Sequence, residues 1–172
     1  MPRTWEPRER RLVSEWTRLA FPTGHVKENV RLGALNPAIQ DTSLTDNELR
    51  ALGVFRRWVD ALVIEPAAVH LVEGKIRNTP GALEQLALYK HLLPLTPELQ
   101  DVRHLPIVSH LVWVIPDPVV ELMAREQGVK VHVYHPAWVD DYLKMLRARE
   151  QRATQPRGLP TLFTSETGGE ES

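Results

Sequence analysis

Two periods of apolar and polar residues succeed one another in the first part of this chain. Residues 6–20 place apolar side chains, among them Leu12 and Trp16, at the spacing of one helix face. Residues 25–32 instead alternate residue by residue, which is typical of a strand with one buried face. Glu28 falls among the apolar positions of that strand. The pattern therefore predicts an amphipathic helix and then a strand that must find a partner for a carboxylate.

A β-hairpin is predicted over roughly 54–77, where two apolar runs flank the turn Glu65-Pro66-Ala67-Ala68. Pro66 takes the second position of the turn, which its fixed φ angle favours. If the two strands pair symmetrically about this turn, Asp60 lies opposite Glu73. Residues directly opposite in an antiparallel pair share one face, and like charges there repel. The hairpin thus predicts two carboxylates that need a cation between them.

Further helices and strands are predicted along the rest of the chain. Thr45 with Glu48 forms a capping box for a short helix that Gly53 ends, and Thr79-Pro80 begins a longer helix at 81–93. The other expected elements are a strand at 107–115, a helix from Asp117 to Gly128, a strand at 129–134 and a helix at 135–150.

This order of elements predicts an α/β fold, a mixed central β-sheet flanked by helices. The first three strands suit an antiparallel meander. The later strand–helix–strand unit needs a parallel crossover, which is expected to be right-handed.

Length and composition narrow the class of protein. With 172 residues, we expect one domain over 1–150 and a flexible polar tail over 151–172. The chain has no cysteine, which excludes disulfides, thiolate metal sites and cysteine nucleophiles. Its charged N-terminus and the lack of an apolar run of 18 residues predict a cytoplasmic protein with no membrane association. We also expect a bacterial or phage origin. A net charge of −1 gives no general basic surface for nucleic acid.

Lys75 adds a cation to the two predicted carboxylates. It follows Glu73 by two residues, so both side chains leave the same face of the strand. The next helix begins directly afterwards, and its free backbone N–H groups can receive a phosphate. On that helix Gln85 and Tyr89 stand four residues apart and share a stripe. Such a set can hold a divalent metal and a water beside a phosphodiester.

The motif D…ExK…QxxxY resembles that of the PD-(D/E)XK nuclease superfamily, in particular its RecB-like branch, which includes lambda exonuclease. The resemblance covers roughly residues 6–134 and implies a restriction-endonuclease-like αβββαβ core. The branch usually has a glycine three residues before its first acid, where this chain has Arg57. The motif residues here are Asp60, Glu73, Lys75, Gln85 and Tyr89.

Metal ligands follow from this resemblance. It implies that Asp60, Glu73 and the backbone carbonyl of Gly74 bind Mg²⁺, with Mn²⁺ as a substitute. Glu15, on the first helix, is the best candidate for the acid that the family carries there, and it would be a further ligand.

The other motif residues would serve the reaction and the substrate. The resemblance implies that Lys75 positions or activates the attacking water, and that Gln85 and Tyr89 contact substrate or brace the site. We therefore expect a magnesium-dependent deoxyribonuclease that hydrolyses phosphodiester bonds, with DNA as its partner.

Two other interpretations stay open. The chain could be a nuclease-fold binding or assembly module with little or no catalysis, because a fold does not fix a function. Its small size and near-neutral charge suit a component of a phage particle or a DNA-processing complex that needs partner proteins. Alternatively it is an α/β domain without a site, in which case Asp60 and Glu73 lie apart or face opposite sides.

Residues outside the motif also have competing interpretations. Glu28 pairs with Arg56 or Arg57, or it is a third acid near the metal. Trp58 stacks on a base of a single strand, or it packs on the sheet. The histidines of the second half lack paired metal spacing, so no zinc site is expected at His104, His110, His132 or His135.

Overall fold

A five-stranded sheet organises the part of the chain that the computed structural model describes, residues 7–34, 57–77 and 81–154. The strands lie in the order of the sequence, from β1 to β5. The elements are α1 (Pro7–Ala20), β1 (His25–Leu32), β2 (Arg57–Glu65), β3 (Ala68–Lys75), α2 (Ala82–Leu92), short 3-10 turns (Leu93–Leu95 and Pro97–Leu99), β4 (Ile107–Trp113), α3 (Pro118–Glu126), β5 (Lys130–Val133) and α4 (Trp138–Thr154).

The sheet is mixed, as predicted. β1, β2 and β3 form an antiparallel meander, whereas β4 pairs in parallel with β3 and β5 in parallel with β4. A two-residue turn reverses the chain between β2 and β3, while each parallel pairing needs a crossover that α2 or α3 supplies. The fold is therefore α/β, with a mixed sheet flanked by helices, consistent with a restriction-endonuclease-like αβββαβ core.

The hairpin register is confirmed from the turn as far as Ala61, the residue that follows Asp60 in the sequence. Glu65 pairs with Ala68, and the pairing continues without a slip as far as Ala61 with Val72. The ladder ends there, so Asp60 lies one residue beyond it. The Pro66 turn thus fixes which residues of β2 and β3 come together.

Residue alternation is interrupted at Asp60. Val59 and Leu62 belong to the same buried cluster although they lie three residues apart, whereas an uninterrupted strand would place them on opposite faces. Across the strand pair, Asn29 falls between Glu28 and Val30 and has a φ of 50°, in the left-handed region that asparagine tolerates. The pairing keeps one register on both sides of this point, from Glu28 with Ala61 to Val30 with Val59, so one residue of each strand is left out of the ladder and the two strands change face together.

The hydrophobic core lies between the sheet and α2. Helix α2 contributes Leu83, Leu86 and Tyr89, and the strands contribute Leu71 and Trp113. On the other face, α1 packs against β2 and β3 with the buried Leu12, Val13 and Trp16.

Some predicted details differ from the structure. Gly81, not Thr79, is the residue that caps α2, and no side chain accepts a hydrogen bond at that cap. Glu28 pairs with Arg10 of α1, with 3.3 Å between Nε and Oε2, which is a partner that the sequence did not indicate. A contact between distant elements cannot be read from the alternation of one strand.

Several predictions fall outside the described residues or at their edge. They include the short helix at 45–53, Arg56, Thr79, Pro80 and the part of the predicted tail beyond Thr154. Helix α4 extends to Thr154, four residues past its predicted end at 150. The chain groups into two compact units, residues 1–136 with the sheet and residues 137–172 with α4. Among the described residues, no helix is both long and apolar enough to cross a membrane.

A row of hydrogen-bonded histidines crosses β3, β4 and β5 beneath α1. His70 Nδ1 lies 2.9 Å from His110 Nε2, and His110 Nδ1 lies 3.0 Å from His132 Nε2. At the other end, His70 Nε2 lies 3.1 Å from Glu65 Oε2. Trp16 contacts the rings of His110 and His132, so an aromatic residue of α1 covers the row.

Glu65 determines which nitrogen of each ring carries the proton. An ionised carboxylate only accepts, so His70 must donate from Nε2 and accept at Nδ1. His110 then donates from Nε2 to His70, and His132 donates in the same sense to His110. Neutral imidazoles satisfy this row, and burial together with the charges of His132, His70 and Lys130 lowers the pKa of His110 to about 3.

We predict that acid destabilises the protein through this row. The unfolded chain binds a proton at His110 near the ordinary value of 6.5, whereas the folded protein resists protonation down to about pH 3. Between these values the unfolded state binds more protons, so the free energy of unfolding falls with falling pH, by up to about 1.4 kcal/mol per pH unit for this one group. Urea unfolding followed by tryptophan fluorescence measures the slope.

The variant His110→Phe should flatten this slope, and the exposed control His104→Gln should keep it. Equal slopes in wild type and His110→Phe would contradict the assignment.

Candidate active site

Glu73 and Lys75 form a buried, hydrogen-bonded pair at the end of β3. Lys75 Nζ lies 2.6 Å from Glu73 Oε1, and the two side chains are only 13% and 4% exposed. They stand two residues apart on one strand, so they leave the same face. The two side chains were predicted to share a face, and the structure also brings them into contact.

Asp60 is held against the same end of β3 by a backbone hydrogen bond. The N–H of Gly74 donates to Asp60 Oδ2 at 2.9 Å. Since the β2–β3 ladder ends one residue earlier, the carboxylate takes a donor that a strand partner would otherwise use. The charges of Asp60 and Lys75 both act on Glu73, so the structure brings the three predicted groups together.

Gly74 allows α1 to approach this site closely. A Cβ at position 74 would collide with Val13 Cγ2, and it would lie 3.4 Å from the carbonyl oxygen of Glu9 and 3.7 Å from Asp60 Oδ2. Val13 is buried and stiff at χ1, so it has little room to move. The glycine inside the E-x-K motif therefore lets helix and strand meet beside the acids.

Glu9 is the acid of α1 that the structure brings to this site. Ile76, one residue past β3, donates its N–H to Glu9 Oε1 at 3.3 Å, and the charge of Glu9 acts on both Glu73 and Lys75. Glu15 instead pairs with Arg11 at 2.7 Å. A role for Glu15 as a metal ligand stays a prediction.

The sequence signal for Glu9 was ambiguous. An acid in the first turn of a helix also complements the helix dipole. The dipole alone is therefore enough to explain Glu9 at this position, and the sequence gives no sign of its contact with Ile76.

Burial and like charge keep a proton on Glu73. Burial, followed by the charge of Asp60, raises the pKa of Glu73 to about 8, despite the opposing effect of Lys75. Burial also raises the pKa of Asp60, against the lowering effects of the Gly74 hydrogen bond and of Lys75. A carboxyl group in such a place is neutral at pH 7 unless a cation compensates it.

Lys75 keeps its proton. Burial alone would lower the pKa of Lys75, but the charges of Glu73, Glu9 and Asp60 and the hydrogen bond to Glu73 outweigh it, so the pKa is raised. Three acids thus surround one ammonium group. The excess of acid over base is what favours uptake of a proton, or of a metal ion, by the cluster.

One oxygen of Glu73 is left without a partner. Within the described residues Glu73 Oε2 is buried and makes no hydrogen bond, which is costly for a polar atom. No group of three or more His, Cys, Asp or Glu side chains in the described part of the chain is arranged to hold a metal. Mg²⁺ commonly uses one or two carboxylates with waters and substrate phosphate, so two acids and an orphan oxygen fit that ion.

Gln85 and Tyr89 lie on α2, on the core side of the sheet. Tyr89 is 4% exposed and packs in the hydrophobic core with Leu86 and Leu93, while Gln85 is half-buried. This position of Tyr89 suits bracing of the core more than direct contact with a substrate. The role of both residues at the site stays a prediction.

Sequence comparisons identify no relative, since no family model and no curated protein matches the chain. Solved structures with some similarity include a protein of unknown function (TM-score 0.44, 12% identity, 72% of this chain and 56% of that one). They also include a repair endonuclease from Pyrococcus abyssi, with a TM-score of 0.44 and 13% identity over 79% of this chain and 50% of that one. A third is a Vibrio cholerae protein, with a TM-score of 0.41 and 18% identity over 84% of this chain and 32% of that one. The chain therefore spans between 32% and 56% of the length of these proteins. At these identities the similarity does not bear on activity.

We predict that Glu73→Gln stabilises the metal-free protein increasingly as the pH rises. The folded pKa of about 8 exceeds the ordinary value of 4.5, so the folded state binds the extra proton in this window. Wild type therefore loses stability between pH 4.5 and 8, while glutamine has no proton to lose. Urea unfolding in a chelator at several pH values measures the difference.

The matched control is Glu84→Gln, at an exposed acid of α2, which should not change its effect with pH in this way. A pH-independent effect of Glu73→Gln would show that Glu73 is already ionised in the folded protein.

Proposed function

We propose that this protein is a metal-dependent nuclease that hydrolyses DNA phosphodiester bonds by a PD-(D/E)XK mechanism. The observation that carries the proposal is the cluster at the end of β3, where the buried Glu73 has one oxygen without a partner beside Asp60 and Lys75. A structural ion pair alone would have little reason to gather a second and a third acid around one lysine.

Asp60, Glu73 and the backbone carbonyl of Gly74 would hold Mg²⁺, or Mn²⁺ in its place. The ion would replace the proton on Glu73 and satisfy its orphan oxygen. When bound, such an ion polarises a phosphoryl oxygen and makes a bound water more acidic. Hydrogen bonding of Asp60 to the Gly74 N–H fixes that carboxylate before a substrate arrives.

Lys75 would act as a cation rather than as a base. Its raised pKa keeps it protonated, so it is poorly suited to remove a proton from water. It would instead position the attacking water and place positive charge beside the phosphoryl oxygens, where negative charge grows in the transition state. In this role, contact with Glu73 holds the ammonium group in place between reactions.

We assign this chain to the RecB-like branch only through the Q-x-x-x-Y spacing of Gln85 and Tyr89. Tyr89 would brace α2 against the sheet and so keep β3 in position. Gln85, half-buried on the same helix, would be the one nearer to substrate.

We predict that Asp60→Asn and Lys75→Ala each slow DNA cleavage by about 100-fold or more, the usual loss when one transition-state contact is removed. The assay incubates linear, circular and branched DNA with Mg²⁺ or Mn²⁺. Lys90→Ala, at an exposed lysine of α2, is the matched control and should cleave as wild type does. Cleavage at the wild-type rate by Lys75→Ala would overturn the mechanism.

A second candidate is a nuclease-fold module that binds or assembles without catalysis. The observation that favours it is the 2.6 Å contact between Lys75 and Glu73, which partly compensates the buried acid in the absence of metal. Such a module would serve a phage particle or a DNA-processing complex and would depend on partner proteins.

Metal binding distinguishes the two candidates. We predict that Mg²⁺ or Mn²⁺ raises the Tm of the wild-type protein, because a ligand that binds only the folded state stabilises it by mass action. Asp60→Asn should lose most of this shift, and Glu84→Gln should retain it. An unchanged Tm for wild type at millimolar metal would favour the assembly module.

A further inference from the structure

A groove of about 270 Å³ opens on β1, an edge strand of the sheet. It lies where β1 and β2 meet the 3-10 turns that follow α2. The lining residues are Lys27, Asn29, Val30, Arg31, Trp58, Thr96, Glu98 and Leu99. The candidate catalytic groups do not line it, so the groove is a separate feature of the molecule.

Trp58 in this groove is unusually exposed for a tryptophan. It is 50% exposed, whereas Trp16 and Trp113 are buried at 8% and 1%. Arg31 is its register partner on β1, and the guanidinium carbon lies 4.4 Å from the centroid of the indole. The cation–π contact therefore orients the ring from one side while half of its surface stays accessible to solvent.

The charges around Trp58 suit a polyanion. Lys27 and Arg31 line the groove, and Glu98 is the acid among its described lining residues. Because the chain as a whole has a net charge of −1, this grouping of cations is local rather than a reflection of composition. An aromatic face beside cations is the arrangement that binds single-stranded nucleic acid.

The groove is also at a suitable distance from the candidate active site. Trp58 lies two residues before Asp60 on β2, about 7 Å along a strand. Trp58 and Asp60 are carried by the same strand segment, so a strand of DNA that stacks a base on Trp58 would run close to Asp60.

We propose that this groove binds an unpaired nucleotide of single-stranded DNA, with its base stacked on Trp58 and its phosphate near Lys27 and Arg31. A base inside a duplex has both faces covered by its neighbours, so it cannot stack there. Resting on the proposed nuclease function, the groove makes the preferred substrate a single strand, or a frayed or flap end, rather than a closed duplex.

The test measures binding without cleavage. Fluorescence anisotropy in a chelator compares a labelled single-stranded oligonucleotide with the matching blunt duplex. Trp58→Ala should weaken binding of the single strand by about 5- to 100-fold, which is the usual contribution of one base–aromatic stack. Trp58→Phe should recover much of the loss, and duplex binding should change little.

Matched controls separate stacking from general surface effects. Arg31→Ala should weaken single-strand binding, whereas Arg125→Ala, at an exposed arginine of α3, should not. Quenching of tryptophan fluorescence by the single strand should diminish in Trp58→Phe. Urea unfolding of each variant confirms that the fold is retained.

The outcomes distinguish this inference from the nuclease proposal. If Lys75→Ala abolishes cleavage but Trp58→Ala binds the single strand as wild type does, the proposed binding groove is wrong and the nuclease proposal is supported. If single-strand binding depends on Trp58 but wild type cleaves no DNA with either metal, the binding groove is supported and the nuclease proposal is wrong. Equal affinity of wild type for single strand and duplex would also overturn the inference about substrate.

Discussion

The burial of Glu73 among other acids is the constraint on which the site depends. A carboxylate removed from water needs a positive partner, and Lys75 supplies one at 2.6 Å. Asp60 and Glu9 add negative charge to the same place, so one ammonium group does not balance the set. In the metal-free protein a proton on Glu73 reduces this excess of negative charge. Glu73 Oε2 still has no hydrogen-bond partner.

Close approach of α1 to β3 produces this burial. Gly74 presents no side chain to Val13, so the helix lies against the strand and its first turn brings Glu9 to the strand end. On the other side, the pairing of β2 with β3 starts only at Ala61. Asp60, the residue before it, accepts a hydrogen bond from the Gly74 N–H instead. Two local irregularities therefore form the site: the close approach of α1 to β3 at Gly74, and the lack of ladder pairing between β2 and β3 at Asp60.

The features that follow from short-range rules were predictable from sequence. The Pro66 turn set the hairpin register, alternation over 25–32 gave β1, and the separation of Glu73 from Lys75 placed both on one face. The features that could not be predicted depend on which elements pack against each other in the folded protein. The pairing of Glu28 with Arg10 requires the position of α1 over β1, and the role of Glu9 requires the glycine contact. His70 has no notable neighbour in sequence, and its place in the row appears only once three strands are aligned.

Because every donor in the histidine row points toward Glu65, the imidazoles form an ordered line of dipoles rather than three separate contacts. The identity of the terminal anion thus sets the orientation of a ring three strands away. Reversing any one ring would set two donors, or two acceptors, against each other, so the line must keep or lose its direction as a whole. The parallel half of the sheet consequently carries a cooperative chain of hydrogen bonds. Its donor-to-acceptor direction is fixed by one carboxylate, that of Glu65 at the hairpin.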